Sequence, residues 1–318
     1  MKSKVLQKIE KSERILLITH ENPDGDALGS LLALYLCFKN SKHVVAICPT
    51  KITSPFLFLP AVENVKQDFL LGDFDLIIIL DCGDLRRTGF ANRLKELSRH
   101  KKKIINIDHH PKNDLHKIAA INIIDYSASS TSELVYRLIN ELNLEIDKDI
   151  ATALLCGLYT DTAAFKHSNT TDAVLGIASE LLKKGARLNK ITGNITNKKS
   201  ISALKLWGLA LSRIKINKEL KLVTSCISKK DIEECSASAS DLAGIVNMIN
   251  TIPLTHAAIL FSEVESGKIK ASIRTESDKI DVSRLAQIFG GGGLKKASGF
   301  TIDGHLVNKS GNWQIVDC

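Results

Sequence analysis

Five short aliphatic runs constrain the fold of this chain most strongly. The core of each run is almost continuously apolar, without alternation of polar residues, and helical patterns separate one run from the next. Continuous apolar strands separated by helices are typical of a parallel sheet that is covered on both faces. The sequence therefore predicts an α/β fold with a parallel doubly wound sheet, whose strands are Ser12–Thr19, His43–Cys48, Asp75–Leu80, Lys103–Ile107 and Ile121–Ile124.

The helical patterns and their end signals predict two domains. The segment 186–200 is polar and rich in Asn, which indicates a linker and a hinge between domains at 1–185 and 201–318. Helices of the first domain are expected at Ala27–Phe38, Ala91–Arg99, Ser132–Leu142, Ile150–Phe165 and Thr171–Lys184. The second domain is expected to be a smaller α/β domain with a mixed sheet. Its helices are expected at Ile201–Ile214, Lys229–Cys235, Asp241–Ile249 and Val282–Phe289, and its strands at Leu220–Ile227, Ala257–Val264 and Lys268–Arg274.

The composition argues against several classes of protein. With 25% charged and 44% hydrophobic residues, the sequence is that of an ordinary globular protein. Its longest apolar run, Leu31–Phe38, is far shorter than the roughly 20 residues of a membrane span, and its first residues lack a signal-peptide pattern. The seven Cys are scattered singly, which favours reduced thiols in the cytoplasm. A net charge of +8 suits an anionic ligand, whereas 5% aromatic residues indicate no stacking surface for long single strands.

Acidic and imidazole side chains follow several of the predicted elements. They are His20 with Asp24 and Asp26, then Asp81, then Asp108-His109-His110, and Asp161 in a helix. Because the carboxyl ends of parallel strands meet at one edge of a sheet, these side chains are expected in one crevice. Carboxylates gathered there repel one another unless cations neutralise them. Mixed carboxylate and imidazole ligands favour Mn²⁺ or a similar metal, and their number predicts two ions.

These segments resemble the four motifs of the DHH phosphoesterase family, in the same order. The motifs are His20-Glu-Asn-Pro-Asp24-Gly-Asp26, Asp81-Cys-Gly-Asp84, Asp108-His109-His110 and Gly157–Phe165. In the second domain, Ser272-Ile-Arg274 and Gly290–Gly293 through Ala297-Ser-Gly299 resemble the DHH-associated substrate-binding domain. Length and domain pairing are most similar to the NrnA-like branch of the family, which comprises oligoribonucleases and pAp phosphatases.

The resemblance implies a metal ligand set. One divalent ion would be held by His20, Asp24 and Asp81, and the other by Asp26, Asp81, His109 and Asp161. Asp81 would therefore bridge the two ions. Together the ions would lower the pKa of a water molecule that attacks phosphorus.

The resemblance also implies roles for residues around the metals. His110 is expected to face the substrate, where it stabilises charge on the phosphoryl oxygens or protonates the leaving group. Asp108 is expected to orient an imidazole through its second ring nitrogen. Two roles are equally compatible with Ser168, Asn169 and Thr170: these residues form hydrogen bonds to the phosphate, or they cap a turn.

Substrate recognition is expected from the second domain. Arg274 would bind a terminal phosphate, and the backbone N–H groups of Gly291, Gly292 and Gly293 would approach an anion or a base. The structural alternatives are a surface arginine on a strand and a merely flexible glycine loop.

One residue departs from the family pattern. Where the family usually has His after the glycines, this chain has Leu294, which neither donates a hydrogen bond from its side chain nor carries charge. We expect hydrolysis to be retained, with altered substrate binding or an altered preference for substrate length. The alternative is a nucleotide-binding protein with reduced turnover.

The expected substrates are short RNA and pAp, and the motifs do not distinguish these from pApA or cyclic-di-AMP. A membrane and long duplex nucleic acid are not expected as partners. The sequence does not determine the oligomeric state and leaves a homodimer open.

Overall fold

The computed structural model describes residues 2–70, 74–97, 104–111, 114–195, 199–265, 267–309 and 312–316. The chain divides into two compact units, Met1–Asn197 and Lys198–Cys318, and each unit has its own hydrophobic clusters. Within the described ranges, no helix combines the length and the apolar character that a membrane crossing requires.

The described part of the first unit contains a five-stranded sheet in which every neighbouring pair is parallel. Its strands are β1 (Arg14–Ile18), β2 (His43–Ile47), β3 (Leu76–Leu80), β4 (Ile104–Asp108) and β5 (Ile121–Ile124). The order is β2-β1-β3-β4-β5. The chain therefore continues from β1 to β2 on one side of the sheet, and from β3 to β4 on the other side. The loops that follow β1 and β3 therefore separate, and they open a crevice at the carboxyl edge of the sheet.

Helices cover both faces of this sheet, which confirms the predicted doubly wound α/β class. Successive strand residues alternate between two hydrophobic clusters: Leu16 packs in the cluster that includes Leu94 and Leu115, whereas Leu17 packs in the cluster on the other face. The helices are α1 (Lys2–Lys11), α2 (Gly25–Phe38), α3 (Ala91–Leu97), α4 (Leu115–Ile118), α5 (Thr131–Glu141), α6 (Lys148–Asp161), α7 (Asp172–Lys183) and α8 (Leu188–Ile195).

Several element boundaries differ from the sequence-based predictions. Helix α6 ends at Asp161 and not at Phe165, because Ala163, Ala164 and Phe165 all have positive φ angles and form a left-handed turn. The predicted linker contains α8, and Ile191 of this helix is buried in the core of the first unit. Residues 98–103 and 196–198 lie outside the described ranges, as do the predicted ends that fall on them.

The second unit is a smaller α/β unit with a mixed sheet, as predicted. Six strands of the described residues form one sheet in the order β10-β11-β9-β8-β7-β6, in which only the β7–β8 pair is parallel. The strands are β6 (Lys215–Asn217), β7 (Leu222–Ile227), β8 (Ala257–Glu265), β9 (Lys268–Arg274), β10 (Gly292–Leu294) and β11 (Ala297–Asp303), and β12 (His305–Lys309) and β13 (Asn312–Val316) form a separate hairpin. The helices are α9 (Ile201–Ser212), α10 (Lys229–Glu234), α11 (Ile245–Ile249) and α12 (Val282–Ile288).

Two features of this unit were not anticipated. The predicted helix Asp241–Ile249 is interrupted by Gly244, whose φ of 92° separates a 3-10 helix, Ala239–Leu242, from α11. The four strands from Gly292 onward were also missed, because they are short and carry many polar residues or glycines.

Candidate metal centre

The loop after β1 and the first turn of α2 position three of the predicted ligands. His20 lies two residues beyond β1, is buried, and has its Nδ1 atom 2.7 Å from the carbonyl oxygen of Glu21. Asp24 caps α2, because one of its carboxylate oxygens accepts hydrogen bonds at 3.0 Å from the N–H groups of Asp26 and Ala27. The second carboxylate oxygen of Asp24 is left for a cation.

Asp81 lies among three histidines, since Nδ1 of His110 is also 3.5 Å from its Oδ1. It follows β3, is 1% exposed, and has a left-handed backbone with φ of 59°, a conformation that Asp tolerates better than most residues. Its Oδ2 is 3.8 Å from Nε2 of His20, and its Oδ1 is 3.7 Å from Nε2 of His109. The hydroxyl of Thr131 donates a hydrogen bond to Oδ1 at 2.9 Å. The two oxygens of one carboxylate thus face different imidazoles, as those of a ligand shared by two cations do.

The N-terminus of α5 holds Asp26. The backbone N–H groups of Thr131 and Ser132 donate to its two carboxylate oxygens at 2.6 and 2.8 Å, and the side chain is fully buried. The first N–H groups of a helix have no partner within the helix, and the helix dipole also favours a carboxylate there. Ser130 caps the same helix by accepting a hydrogen bond from the N–H of Glu133. The orientation of Asp26 is therefore fixed by backbone atoms.

These positions produce three groups of candidate ligands. Nε2 of His109 is 3.2 Å from Oδ2 of Asp161, the last residue of α6. Within each group, one ligand atom per residue lies within 4.8 Å of the others. Two groups contain only residues of the expected ligand set, and they are His20, Asp24 and Asp81, and Asp26, His109 and Asp161; the third group joins Asp81 and His109 to His110. The structure therefore brings together the six residues that the sequence nominates as ligands.

Burial and repulsion act on the carboxyl groups of this cluster. Burial is the largest cause of the pKa shifts. It raises the pKa of Asp26, and it raises the pKa values of Asp81 and Asp161 well above the ordinary value. The negative charges of neighbouring acidic residues raise the pKa of each group further. Cations bound among these carboxylates would remove the repulsion and keep them ionised at neutral pH.

The donor atoms fit divalent metal ions. Nε2 of His20 is buried and has no hydrogen-bond partner among the described residues. Because a carbonyl oxygen only accepts, the contact with Glu21 places the proton on Nδ1 and leaves the Nε2 lone pair facing Asp81. An unsatisfied buried nitrogen costs about 1–3 kcal/mol, which coordination would offset. Mixed imidazole and carboxylate ligands are typical of first-row divalent metals.

Asp108 and His110 form a hydrogen-bonded pair next to this cluster. Oδ1 of Asp108 is 2.8 Å from Nδ1 of His110, and Oδ2 accepts a hydrogen bond from the N–H of Gly83 at 2.8 Å. Burial lowers the pKa of His110, but the hydrogen bond and the charge of Asp108 outweigh it and raise the pKa above its ordinary value. Burial also acts against ionised Asp108, and the hydrogen bonds from His110 and Gly83 outweigh it and lower the pKa of Asp108. The pair thus favours a carboxylate and an imidazolium.

Ser168, Asn169 and Thr170 lie in the turn between α6 and α7. The amide nitrogen of Asn169 donates to the carbonyl oxygens of Ser129 and Asp161, both at 3.2 Å. Asn169 therefore connects the segment before α5 to the last residue of α6. Its Oδ1 and the hydroxyl of Thr170 are buried without a partner among the described residues.

In the second unit, Arg274 is held by uncharged groups. It ends β9, and its guanidinium donates to Oδ1 of Asn247 at 3.0 Å and to the carbonyl of Ile273 at 2.8 Å. No carboxylate of the described residues forms an ion pair with it, and burial lowers its pKa. This guanidinium is suited to an external anion.

The glycine run is part of the sheet. Gly292 and Gly293 belong to β10, which pairs with β11. A Cβ at Gly291 would overlap the carbonyl oxygen of Gly299. Gly293 has a φ of 138°, and a Cβ added there would lie only 2.7 Å from Cα of Ser298. Leu294 lies at the end of β10 and is 44% exposed. Gly292, Gly293 and Leu294 therefore form a strand in the structure and not a loop.

Two residues near the metal centre were not assigned a role from the sequence. Thr131 is one of them, and its N–H and hydroxyl contact two different carboxylates. Arg87 was not considered, although it lies six residues after Asp81 in the same loop, and its Nη2 is 3.1 Å from Nδ1 of His20. Its place in a loop that follows a central strand is the signal that would have identified it.

Comparison with known proteins agrees with this geometry. The family model of the DHH family N-terminal domain matches residues 14–158, and that of the DHHA1 domain matches residues 219–310. The bifunctional oligoribonuclease and PAP phosphatase NrnA of Thermus thermophilus is 30% identical over 300 residues, which cover 91% of this chain and 84% of the relative. The Bacillus subtilis protein of the same name is 26% identical over 308 residues, covering 95% and 93%.

A solved structure extends the likeness to three dimensions. The crystal structure of an exopolyphosphatase-related protein from Bacteroides fragilis superposes with a TM-score of 0.86 at 29% identity, covering 94% of this chain and 90% of that one. The resemblance inferred from the motifs is thereby confirmed. The chain belongs to the DHH family and is a metal-dependent phosphoesterase.

Proposed function

We propose that this protein is a two-metal phosphoesterase of the cytoplasm that hydrolyses short oligoribonucleotides and converts pAp to AMP and phosphate, with Mn²⁺ as its preferred metal. The observation that carries this proposal is the position of Asp81 between His20 and His109, with one carboxylate oxygen facing each ring. Asp81 belongs to one ligand group with His20 and Asp24, and to another with His109 and His110. The names of the Thermus thermophilus and Bacillus subtilis relatives support the choice of substrates.

Two divalent ions would supply Lewis acidity and a nucleophilic water at neutral pH. His20, Asp24 and Asp81 would hold one ion, and Asp26, Asp81, His109 and Asp161 would hold the other. The N-terminus of α5 keeps Asp26 in place, so the ligand set is arranged before substrate binds.

His110 donates from Nε2 to a phosphoryl oxygen or to the leaving group. Its Nδ1 is engaged by Asp108, so Nε2 is the ring nitrogen that faces away from that carboxylate. The raised pKa of His110 keeps a proton on Nε2 over more of the neutral pH range. Asn169 fixes the carbonyl next to the Asp161 side chain, and its remaining Oδ1 and the hydroxyls of Ser168 and Thr170 add hydrogen-bonding groups near the phosphate.

Arg274 binds a terminal phosphate of the nucleotide. Among the described residues, the guanidinium of Arg274 has only uncharged partners, so an added phosphate gains charge-assisted hydrogen bonds without displacing a carboxylate of those residues. Gly291, Gly292 and Gly293 present main-chain atoms without side chains in front of them. Leu294 replaces the usual histidine there, which supports an altered length preference.

The decisive experiment is a product profile of the EDTA-treated protein reloaded with Mn²⁺. The substrates are pAp, 5′-phosphorylated RNAs of two to ten nucleotides, pApA and cyclic-di-AMP. We expect phosphate release from pAp and mononucleotides from short RNA. Asp81→Asn is expected to lose at least about 100-fold in kcat/KM, because a direct ligand matters at least as much as a residue that supports one.

The matched control is Asp68→Asn, which changes an exposed carboxylate paired with Arg93. Its activity is expected to equal that of the wild type. Chelator-resistant hydrolysis, or full activity of Asp81→Asn, would refute the two-metal assignment. Tight pAp binding without product would favour the nucleotide-binding alternative, and preferred cleavage of pApA or cyclic-di-AMP would replace the proposed substrates.

A further inference from the structure

Arg87 places a guanidinium at the edge of the metal centre. It lies in a 3-10 helix, Arg86–Thr88, in the loop after β3, and its side chain is half-buried. Its Nη2 is 3.1 Å from Nδ1 of His20, and this is the side-chain hydrogen bond that the described residues give it. No carboxylate of the described residues forms an ion pair with Arg87. A partly buried cation without an anion requires an explanation, because burying an unpaired charge is costly.

The bond from Arg87 to His20 and the contact of His20 with Glu21 exclude each other. Nδ1 of His20 is 2.7 Å from the carbonyl of Glu21, which requires a proton on Nδ1. A guanidinium only donates, so its bond to the same atom requires a lone pair there. The form of His20 whose Nε2 coordinates a metal carries its proton on Nδ1 and keeps the Glu21 contact. In that form Arg87 has no acceptor on His20.

Gly83 provides the space in which this guanidinium lies. Gly83 has a φ of 67°, and a Cβ there would be 3.1 Å from Nη1 of Arg87 and 3.8 Å from the ring of His110. The Arg87 guanidinium and the His110 ring therefore border the same small volume beside Asp81, whose Oδ1 is 3.5 Å from His110. The Arg87 guanidinium and the His110 imidazole thus converge next to the ligands, on the side where the His110 side chain is 23% exposed.

We propose that Arg87 is a catalytic residue that binds a non-bridging oxygen of the phosphoryl group undergoing hydrolysis. This inference rests on the proposed phosphoesterase function and adds a second donor to His110. The planar guanidinium suits bidentate binding of phosphoryl oxygens. It stabilises the negative charge on these oxygens during attack, and the metal-loaded form of His20 leaves its side chain without another acceptor among the described residues.

The neighbouring Arg86 offers a matched control. Its side chain is exposed, and no hydrogen bond or ion pair of that side chain is found among the described residues. Arg87→Met and Arg86→Met remove the same charge and keep similar side-chain length one residue apart. Arg87→Lys keeps the charge but loses the planar fork.

Three quantities are measured for each Mn²⁺-loaded variant: kcat and KM with pAp and with a 5′-phosphorylated dinucleotide, the affinity for Mn²⁺, and the affinity for inorganic phosphate. Arg87→Met is expected to lose about 100-fold or more in kcat, as when one donor to a developing oxyanion is removed. It is expected to bind phosphate more weakly and Mn²⁺ as tightly as the wild type. Arg87→Lys is expected to be intermediate, and Arg86→Met is expected to match the wild type.

Two results would overturn the assignment. Equal kcat and equal phosphate affinity in Arg87→Met and Arg86→Met would show that Arg87 does not contact the phosphoryl group. A loss of Mn²⁺ affinity in Arg87→Met that accounts for the whole loss of activity would make it a residue that only positions His20. Phosphate binding also separates this inference from the proposed function, since it is measured without turnover. If Arg87→Met does not fold, the comparison of Arg87→Lys with Arg86→Lys decides by the same criteria.

Discussion

Thr131 connects two candidate metal ligands through a single residue. Its backbone N–H donates to Asp26 and its hydroxyl donates to Asp81, while both carboxylates are buried. The backbone contact is available to any residue except Pro, whereas the hydroxyl contact is available only to Thr and Ser. The side chain of Thr131 thus determines the orientation of the shared ligand.

We expect Thr131→Val to bind Mn²⁺ about 10- to 100-fold more weakly, as is usual when a residue that orients a ligand is lost. Valine has nearly the same shape but no donor for Asp81, so folding should be little affected. Thr131→Ser keeps the hydroxyl and serves as the control, with an affinity close to that of the wild type. Metal titration calorimetry measures both, and an unchanged affinity in Thr131→Val would contradict the role of the hydroxyl.

At the residue scale, the sequence predicts side chains better than it predicts main-chain donors. His20, Asp81 and His109 were identified because ligand-type residues directly after apolar strands must converge at one sheet edge. The sequence does not predict the N–H groups that bind Asp26, because every residue except Pro carries a backbone N–H. Arg86 and Arg87 were indistinguishable in sequence, and only the path of the 3-10 helix directs Arg87 to His20.

At the scale of elements, close packing of α6 against α2 and α5 supports the metal centre. A Cβ at Gly29 of α2 would be 2.5 Å from the carbonyl of Ala153, and a Cβ at Gly157 of α6 would overlap the hydroxyl of Ser132 and lie 2.7 Å from Oδ1 of Asp26. Glycine at these two positions lets three helices approach closely enough to enclose the carboxylate.

Gly157→Ala is expected to destabilise the protein by about 1–3 kcal/mol, the usual cost of overpacking, and to weaken Mn²⁺ binding by displacing Asp26. Gly176→Ala is the matched control, because Gly176 also lies within a helix, α7, and an added Cβ there meets no atom within 4 Å. That substitution is expected to stabilise the protein by about 0.5–1 kcal/mol. Urea unfolding and metal titration test both variants. Equal stability of the two variants would contradict the packing argument.

Sequence patterns identified most of the elements but not where some of them end. The Leu and Ile pattern of α6 continues into Ala and Phe, so nothing in it marks the left-handed turn at Ala163–Phe165. Helix α1 was missed because the charged residues of its exposed side mask the two apolar residues, Val5 and Ile9, that pack in the core. The strand β10 was missed because two of its three residues are glycines, which carry no pattern of side chains.

At the scale of the whole molecule, the acidic cluster links stability to pH and to metal. Burial and mutual repulsion raise the pKa of Asp26, Asp81 and Asp161 in the folded protein. Between the ordinary pKa of about 4 and these raised values, the folded state binds more protons than the unfolded state. The metal-free protein therefore loses stability as pH rises through this window.

Other groups leave the sign of this dependence unchanged between pH 5 and 8. His110 also has a raised pKa, so its contribution falls with rising pH in the same way. Burial lowers the pKa of His20, so the contribution of this single group rises with pH and opposes the trend of the three carboxyl groups. Asp108 and Asp231 have lowered pKa values, and their contribution is complete above about pH 4.

We expect the melting temperature of the EDTA-treated protein to fall from pH 5 to pH 8, and the increase in Tm on adding Mn²⁺ to grow over the same range. A metal ion binds the deprotonated carboxylates, so it stabilises the folded protein most at the higher pH, where these carboxylates are ionised. Asp161→Asn should make the metal-free profile flatter. A Tm of the metal-free protein that rises across this range would contradict the assignment.

The hydrogen bonds that complete the metal centre also bear on the order of folding. Thr131 contacts Asp26 across 105 residues of chain and Asp81 across 50. Contacts between residues so distant in sequence are slow to form, because the entropy of closing the intervening loop is lost before the contact is gained. During synthesis, a chain that has not yet emerged as far as Asp161 lacks one complete ligand group. Binding of a metal ion by Asp26, His109 and Asp161 is therefore expected to follow the synthesis of the chain as far as α6, whereas the group of His20, Asp24 and Asp81 is complete earlier.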